Sequence, residues 1–339
     1  MSSSAPTSRL RGAATRVQLG VRIQRQGALI ALLALVAFGA ARYGHDFYGG
    51  SNLRDLLGDN AKFGFIALGM TFVIMSGGID LSVGSVVALG GVLAAQQSGH
   101  GLLFGLVVGV AAGAGVGLVN GLLIAKVGLQ PFIVTLATLL SVRGLALQLS
   151  HTQGVVASAD SDFQKLGEAS FLTIPVAAWM LFAAFAIGAL ALHYTPWGRQ
   201  VLAIGGNPDA AQLMGLPVAR VRASVYVLSG ALAGLAGVVL GSREGSVDTQ
   251  AGAGWELTAI AAVVVGGTLL TGGVGSVLST LVGVFLLQLI FNLINFENGK
   301  HVISISSYWE SVIRGAFLLV VVLLQVRLVK IRGPGAATS

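Results

Sequence analysis

Residues 27–330 read as a bundle of about ten transmembrane helices, an all-α polytopic membrane protein in which some helices are short or broken. Three observations point there. Only 10% of the 339 residues are charged and 55% are hydrophobic, where a soluble domain carries about a quarter charged residues. Apolar runs close to the roughly 20 residues of a bilayer-spanning helix recur from end to end. These runs lack the alternation of a membrane barrel strand, so the spans are helices.

Residues 1–26 come first, a flexible basic tail rich in serine that holds Arg9, Arg11, Arg16, Arg22 and Arg25. The apolar run from Ala28 to Ala41 has the length of a signal-peptide core. The tail before it is long for that role and more spans follow, so it reads as an uncleaved first helix. The spans are placed at 27–44, 61–76, 83–98, 101–125, 131–150, 173–193, 223–242, 256–268, 274–296 and 309–328. The second, third and eighth are short. Ala61–Ser76 reaches only about 24 Å at 1.5 Å per residue, less than the hydrocarbon core of about 30 Å. Helices broken near Gly77–Gly78 and Gly266–Gly267 are the expectation. The fourth span, GLLFGLVVGVAAGAGVGLVNG, reads as a helix packed closely through its glycines. A tail at 331–339 closes the chain.

Charge sets the topology. With both termini in the cytoplasm, 12 of the 20 basic residues fall inside, Lys126, Arg199, Arg220 and Arg222 among them, and six fall outside. Most acidic residues lie outside. This is the positive-inside pattern, and it accounts for the net charge of +7 without any nucleic acid. There is no cysteine, which excludes disulfides, thiol catalysis and cysteine metal sites. The five histidines are scattered without ligand spacing, so no metal and no cofactor is assigned. GSVVALGGV (84–92) and GSVLSTLVGV (275–284) each open with Gly-Ser-Val after a glycine-rich break. Gly-interrupted segments in matching places of two halves can mark a transport pathway, though this match is short.

The longest loop on the cytoplasmic side, 193–222, holds a short helix with strong punctuation. Asn207 suits the N-cap, Pro208 the first helical position and Asp209 the first turn, where the dipole favours negative charge. Gly215 suits the left-handed position after the helix, and Pro217 blocks continuation. Leu213 and Met214 give an apolar edge. The helix either rests on lipid or docks on a cytoplasmic partner.

Four stretches together resemble one family: MTFVIMSGGIDLSVGSVVAL (70–89), NGLLIAKVGLQPFIVTLATLLSVRGLAL (120–147), GGNPDAAQLMGLPVARVR (205–222) and LTAIAAVVVGGTLLTGGVGSVLSTLVGV (257–284). The chain resembles the permease subunit of carbohydrate-uptake ABC importers, the group with ribose, arabinose, galactofuranose and quorum-signal permeases. The resemblance implies a type II ABC-importer-like, ten-helix fold in the bacterial cytoplasmic (inner) membrane. It implies a second permease subunit, identical or paralogous, and a periplasmic or extracellular sugar-binding protein. It also implies a coupling helix that docks on a cytoplasmic ABC ATPase, here Asn207, Pro208, Asp209, Ala210, Ala211, Leu213, Met214 and Gly215. Ala210 and Ala211 leave one face small enough for a groove on that partner. The chain has no GxxxxGK[ST] phosphate loop, so ATP hydrolysis falls to another polypeptide.

Asp80 stands among glycines in one of the most apolar parts of the chain. A charge in lipid costs several kcal/mol, so it faces protein, water or an interface. Either it accepts the amides of Ser82 and Val83 at the start of the next helix, or it lines the solute path with Ser82, Ser85, Arg143 and Ser276. Arg143 either snorkels outward or faces the path. Glu310 and Arg314 read as a structural pair, and Trp255 and Trp309 as interface anchors or as solute contacts. The function that follows is ATP-driven import of a monosaccharide or similar polar solute. The rival is a secondary transporter or channel run by an ion gradient, which usually needs paired ionisable groups at mid-membrane. No nucleophile–base constellation supports a membrane enzyme.

Overall fold

The computed structural model describes residues 26–159, 161–300, and 309, 312, 313, 315–320, 322 and 323. The tails at 1–25 and 331–339 and the Glu310–Arg314 pair lie outside the described residues.

The described residues are mostly helical. α1 (Gln26–Tyr43) and a single turn, α2 (His45–Tyr48), precede α3 (Gly50–Met75), α4 (Val83–Gln96), α5 (Leu102–Ala125) and α6 (Pro131–Leu149). A connection holding β1 (Val155–Val156), α7 (Lys165–Glu168), β2 (Ser170–Phe171) and β3 (Ile174–Pro175) leads to α8 (Val176–Tyr194). Then come α9 (Pro196–Gly206), α10 (Pro208–Leu213), α11 (Val218–Glu244), β4 (Ser246–Val247), α12 (Trp255–Val265) and α13 (Val277–Gly299). The strands are two-residue clips, β1 antiparallel to β4 and β2 to β3. Among the described residues seven helices, α1, α3, α5, α6, α8, α11 and α13, are long and apolar enough to cross a membrane, and α4 and α12 are shorter apolar helices. The tenth expected span, 309–328, is described only in part.

The second span is longer than expected. α3 begins at Gly50 and runs for 26 residues, because its charged first turns are paired rather than loose. Lys62 lies 3.0 Å from Glu244 and 3.5 Å from Asp59, and Arg243 lies 3.7 Å from Asp55 and from Asp59. The third and eighth spans are short as expected. Trp255 packs its ring on Phe63 at 4.5 Å, with Lys62 over its face at 5.7 Å, so it is held by α3. Trp309 is exposed, as an interface anchor is.

α11 is the centre of the bundle and packs on α3, α4 and α5. Glycine permits this. The buried face of α5 carries Gly105, Gly109, Gly113, Gly117 and Gly121, four residues apart, so they share one side of the helix. A Cβ at Gly113 would overlap the carbonyl of Gly230 of α11, and one at Gly121 would come 2.8 Å from Ala223 Cα. With no aqueous driving force between helices in lipid, such close backbone approach supplies the packing. The opposite side of α5 exposes Leu103, Phe104, Val107, Leu118 and Val119.

Candidate functional site

α3 ends at Met75 and α4 starts at Val83, so a broken helix lies between them. Gly77 takes φ +81°, a conformation that favours glycine. Asp80, 1% exposed, holds the break together. Its Oδ1 accepts the Ser82 amide at 3.0 Å and the Ser82 hydroxyl at 2.6 Å, and its Oδ2 accepts the Ser229 hydroxyl of α11 at 2.9 Å. The Ser82 hydroxyl also accepts from Asn120 of α5 at 3.0 Å, and Asn120 accepts from Thr138 of α6 at 2.7 Å. The Tyr226 hydroxyl donates to the Ile79 carbonyl at 3.2 Å.

This arrangement refines the sequence reading. The carboxylate takes the expected Ser82 amide, and the hydroxyls of Ser82 and Ser229 stand where the Val83 amide was expected. Ser82, not Asp80, precedes the first residue of α4. Asp80 therefore ties α11 to the start of α4, and Asn120 and Thr138 extend the chain of bonds to α5 and α6. Sequence reasoning missed Asn120, Thr138, Tyr226 and Ser229. An asparagine in the apolar run VNG was the available signal for the first.

The other path candidates separate from one another. Ser82 and Ser85 are buried, with the Ser85 hydroxyl donating to the Ser82 carbonyl at 2.8 Å. Ser276 caps α13, accepting from the amide and hydroxyl of Ser279 at 3.4 and 3.1 Å. In this state Asp80, Ser82, Ser85 and Ser276 are closed off from solvent. The two Gly-Ser-Val stretches also occupy different places, since Ser276 precedes its helix and Ser85 lies inside α4. Arg143 is held by the main chain of the loop between α11 and α12. Its Nη1 donates to the carbonyls of Thr249 and Ala251, each at 2.7 Å.

The second break follows Val265, with Gly267, Gly272 and Gly273 all at positive φ. Here three segments meet backbone to backbone. The Gly273 amide donates to the Met75 carbonyl at 3.0 Å. A Cβ at Gly272 would come 2.9 Å from Gly77 Cα and 2.8 Å from the Gly205 carbonyl. A Cβ at Gly205 would overlap the Met75 carbonyl oxygen, and one at Gly273 would come 2.7 Å from Gly206 Cα. Gly205 and Gly206 end α9, one residue before the N-cap of α10. Both breaks thus rest on the base of the short helix.

α9 was missed in the sequence. Its signal was Thr195-Pro196, for the Thr195 hydroxyl accepts the Gly198 amide at 3.2 Å and Pro196 opens the helix. α10 forms as expected. Asn207 accepts the Ala210 amide at 2.9 Å, Pro208 and Asp209 fill the first turn, and Gly215 takes φ +79°. Leu213 and Met214 are 89% and 80% exposed. Ala210 is exposed but Ala211 is 3% exposed, so Ala211 turns into its own chain and is not on the surface assigned to it above.

Residues 52–322 match the family described as "Branched-chain amino acid transport system / permease component". The chain belongs to this permease family. It is 41% identical over 321 residues to the ribose import permease protein RbsC of Bacillus subtilis, covering 94% of this chain and 98% of that one. It is 38% identical over 323 residues to the L-arabinose ABC transporter permease protein AraH of Azospirillum brasilense, covering 95% and 93%. It is 36% identical over 308 residues to the ribose import permease protein RbsC of Escherichia coli, covering 89% and 94%. No solved structure matches. The permease is a transport component rather than an enzyme, and its helices make it a multi-pass membrane protein. Among the described residues no group of three or more histidines and carboxylates could hold a metal ion.

Proposed function

We propose that the permease carries a monosaccharide inward across the bacterial cytoplasmic (inner) membrane as the membrane-spanning subunit of an ATP-driven ABC importer. The observation that carries this reading is the joint between α10 and the two helix breaks, because it gives a partner's motion a rigid route into the bundle. Asn207–Gly215 is the coupling helix, docked on a cytoplasmic ABC ATPase, and both termini lie on that side. A sugar-binding protein delivers solute to the outer face, and a second permease, identical or paralogous, completes the path. ATP-bound and ATP-free partners shift the equilibrium by differential contacts with the two states of the bundle.

The family's description names branched-chain amino acids, and the curated relatives name ribose and arabinose. Identities of 41% and 38% over nearly the whole of both chains favour the sugars. The deciding experiment reconstitutes the permease with its ATPase and binding protein in proteoliposomes and follows labelled ribose, arabinose and leucine. Uptake of a pentose that needs ATP and survives collapse of the proton gradient is expected. Uptake that follows the proton gradient at constant ATP means a secondary transporter.

A further inference from the structure

The segment 245–254, between α11 and α12, leaves the end of the bundle opposite α10, the outer end in the orientation proposed above. It pairs with β1 through Ser246 and Val247 and then runs without regular structure to Gly254. Two contacts fix how far it descends. Arg143 grips the carbonyls of Thr249 and Ala251 from a point six residues before Leu149, about 9 Å below the outer end of α6 at 1.5 Å per residue. Gly252 packs backbone on backbone against Gly84, whose added Cβ would overlap the Gly252 carbonyl. Gly84 lies twelve residues before Gln96, about 18 Å below the outer end of α4. The loop therefore re-enters the bundle to the first turn of a broken helix.

Irregular backbone at membrane depth persists only where protein covers it or water fills the space beside it. One side of this loop is covered, with Val247, Thr249 and Gly252 buried. The other side is open and polar, for Asp248 and Gln250 are both exposed. A carboxylate facing hydrocarbon there would cost several kcal/mol, so this side faces water. The Gln250 backbone amide donates to Asp248 Oδ1 at 2.6 Å, so the bond takes one oxygen of an exposed carboxylate. Glu256 lies behind, with Oε2 2.5 Å from where a Cβ on Gly84 would sit. Arg143 spends its hydrogen bonds on the main chain at Thr249 and Ala251, so it positions the loop, while its charge attracts Asp248 and Glu256 without a direct bond to either.

We propose that Asp248 and Gln250 form a solute-binding subsite in the outer half of the path, for an uncharged polyhydroxylated ring. A carboxylate accepts and a carboxamide both donates and accepts, which suits neighbouring hydroxyls that must shed water. Two exposed groups on a wet loop bind weakly, and a path needs binding favourable enough to admit a solute yet weak enough to release it. This inference rests on the sugar-import reading above and adds where the sugar is held.

The test uses the assembled transporter in proteoliposomes with labelled ribose and arabinose. Asp248→Asn keeps the acceptor for the Gln250 amide, and Gln250→Ala removes only an exposed side chain, so both variants keep the loop. Each lowers pentose uptake about tenfold, the size expected for a lost bond to a charged or well-placed polar group, while basal ATP hydrolysis and association with the ATPase stay unchanged. Gln250→Cys, in a chain with no other cysteine, reacts with an impermeant thiol reagent from the outer side, and that reaction blocks uptake. Full uptake in both variants overturns the subsite while leaving the importer intact, as does a Gln250→Cys protein that stays unreactive from outside. An unaltered transporter that takes up neither pentose sinks the sugar reading itself.

Discussion

The amide of Gly273 donates to the carbonyl of Met75 across 3.0 Å, and this bond joins the two broken helices of the permease. Gly205, at the base of α10, is wedged into the same junction, too close to Met75 and Gly273 for any side chain. Packed backbone yields little, because protein interiors are as dense as organic crystals. A displacement of α10 is thus passed to both breaks without a flexible side chain between.

Gly205 and its neighbour offer a matched pair of substitutions. Gly205→Ala places a methyl group into the Met75 carbonyl and 2.7 Å from the Gly273 amide nitrogen, whereas Gly206→Ala meets nothing within 4 Å. Overpacking of this kind costs about 1–3 kcal/mol. Thermal unfolding of the purified transporter should fall for Gly205→Ala and hold for Gly206→Ala, and ATP-driven uptake should follow the same order. Equal melting of the two variants means the junction has slack.

Asp80 is the next. Asp80→Asn keeps Oδ1 for Ser82, and the Ser229 hydroxyl can turn to accept from the new amide. Asp80→Leu strands the Ser82 amide and the Ser82 and Ser229 hydroxyls, and each buried unsatisfied group costs about 1–3 kcal/mol. The leucine variant should unfold at clearly lower temperature and the asparagine variant close to the parent. If Asp80→Leu melts normally but no longer transports, the carboxylate serves the solute and not the break.

What the sequence revealed about these sites follows from how local the information is. The ends of α10 were legible because Asn207, Pro208 and Gly215 each act on their own few residues. The breaks were legible because glycine pairs interrupt apolar runs. The first turns of α3 were not, since Asp55 and Asp59 read as a loop until Arg243, far along the chain, supplies a partner. The network around Asp80 was half legible. Ser82 is two residues away, but Asn120, Thr138 and Ser229 arrive from other helices. The facing of Ala211 was misread because a two-turn helix carries too few residues for its periodicity to choose a side. The packing of 245–254 against Gly84 left no sequence signal beyond its glycines.

Sidedness has a direct test in a chain without cysteine. Ala169→Cys and Gln212→Cys place thiols at exposed positions, one in the connection before α8 and the other on α10. In sealed cells Ala169→Cys should react with an impermeant reagent, and Gln212→Cys should react only after the membrane is opened. Labelling of Gln212→Cys in sealed cells turns the bundle over and moves the ATPase contact to another surface.

The coupling surface itself is the last prediction. Leu213 and Met214 end α10 almost fully exposed, and two large apolar side chains exposed side by side are of the kind that a protein partner or a lipid surface covers. An isolated helix this short is marginal in water, yet Asn207 and Gly215 fix both its ends, so the pair is presented rigidly. Ala211 is the wrong place to probe this surface. It is buried against its own chain, and Ala211→Glu would force a charge inside and damage folding. Leu213→Glu changes nothing that the permease itself packs against, so insertion and thermal stability should match the parent. It should instead set a desolvated charge against the partner's groove, and the ATPase should no longer co-purify. Pentose-stimulated ATP hydrolysis and uptake should fall together, and Met214→Glu should do the same more mildly if Leu213 is the deeper anchor. Parental uptake in Leu213→Glu, with the ATPase still bound, removes α10 from the coupling route and leaves the glycine junction as packing alone.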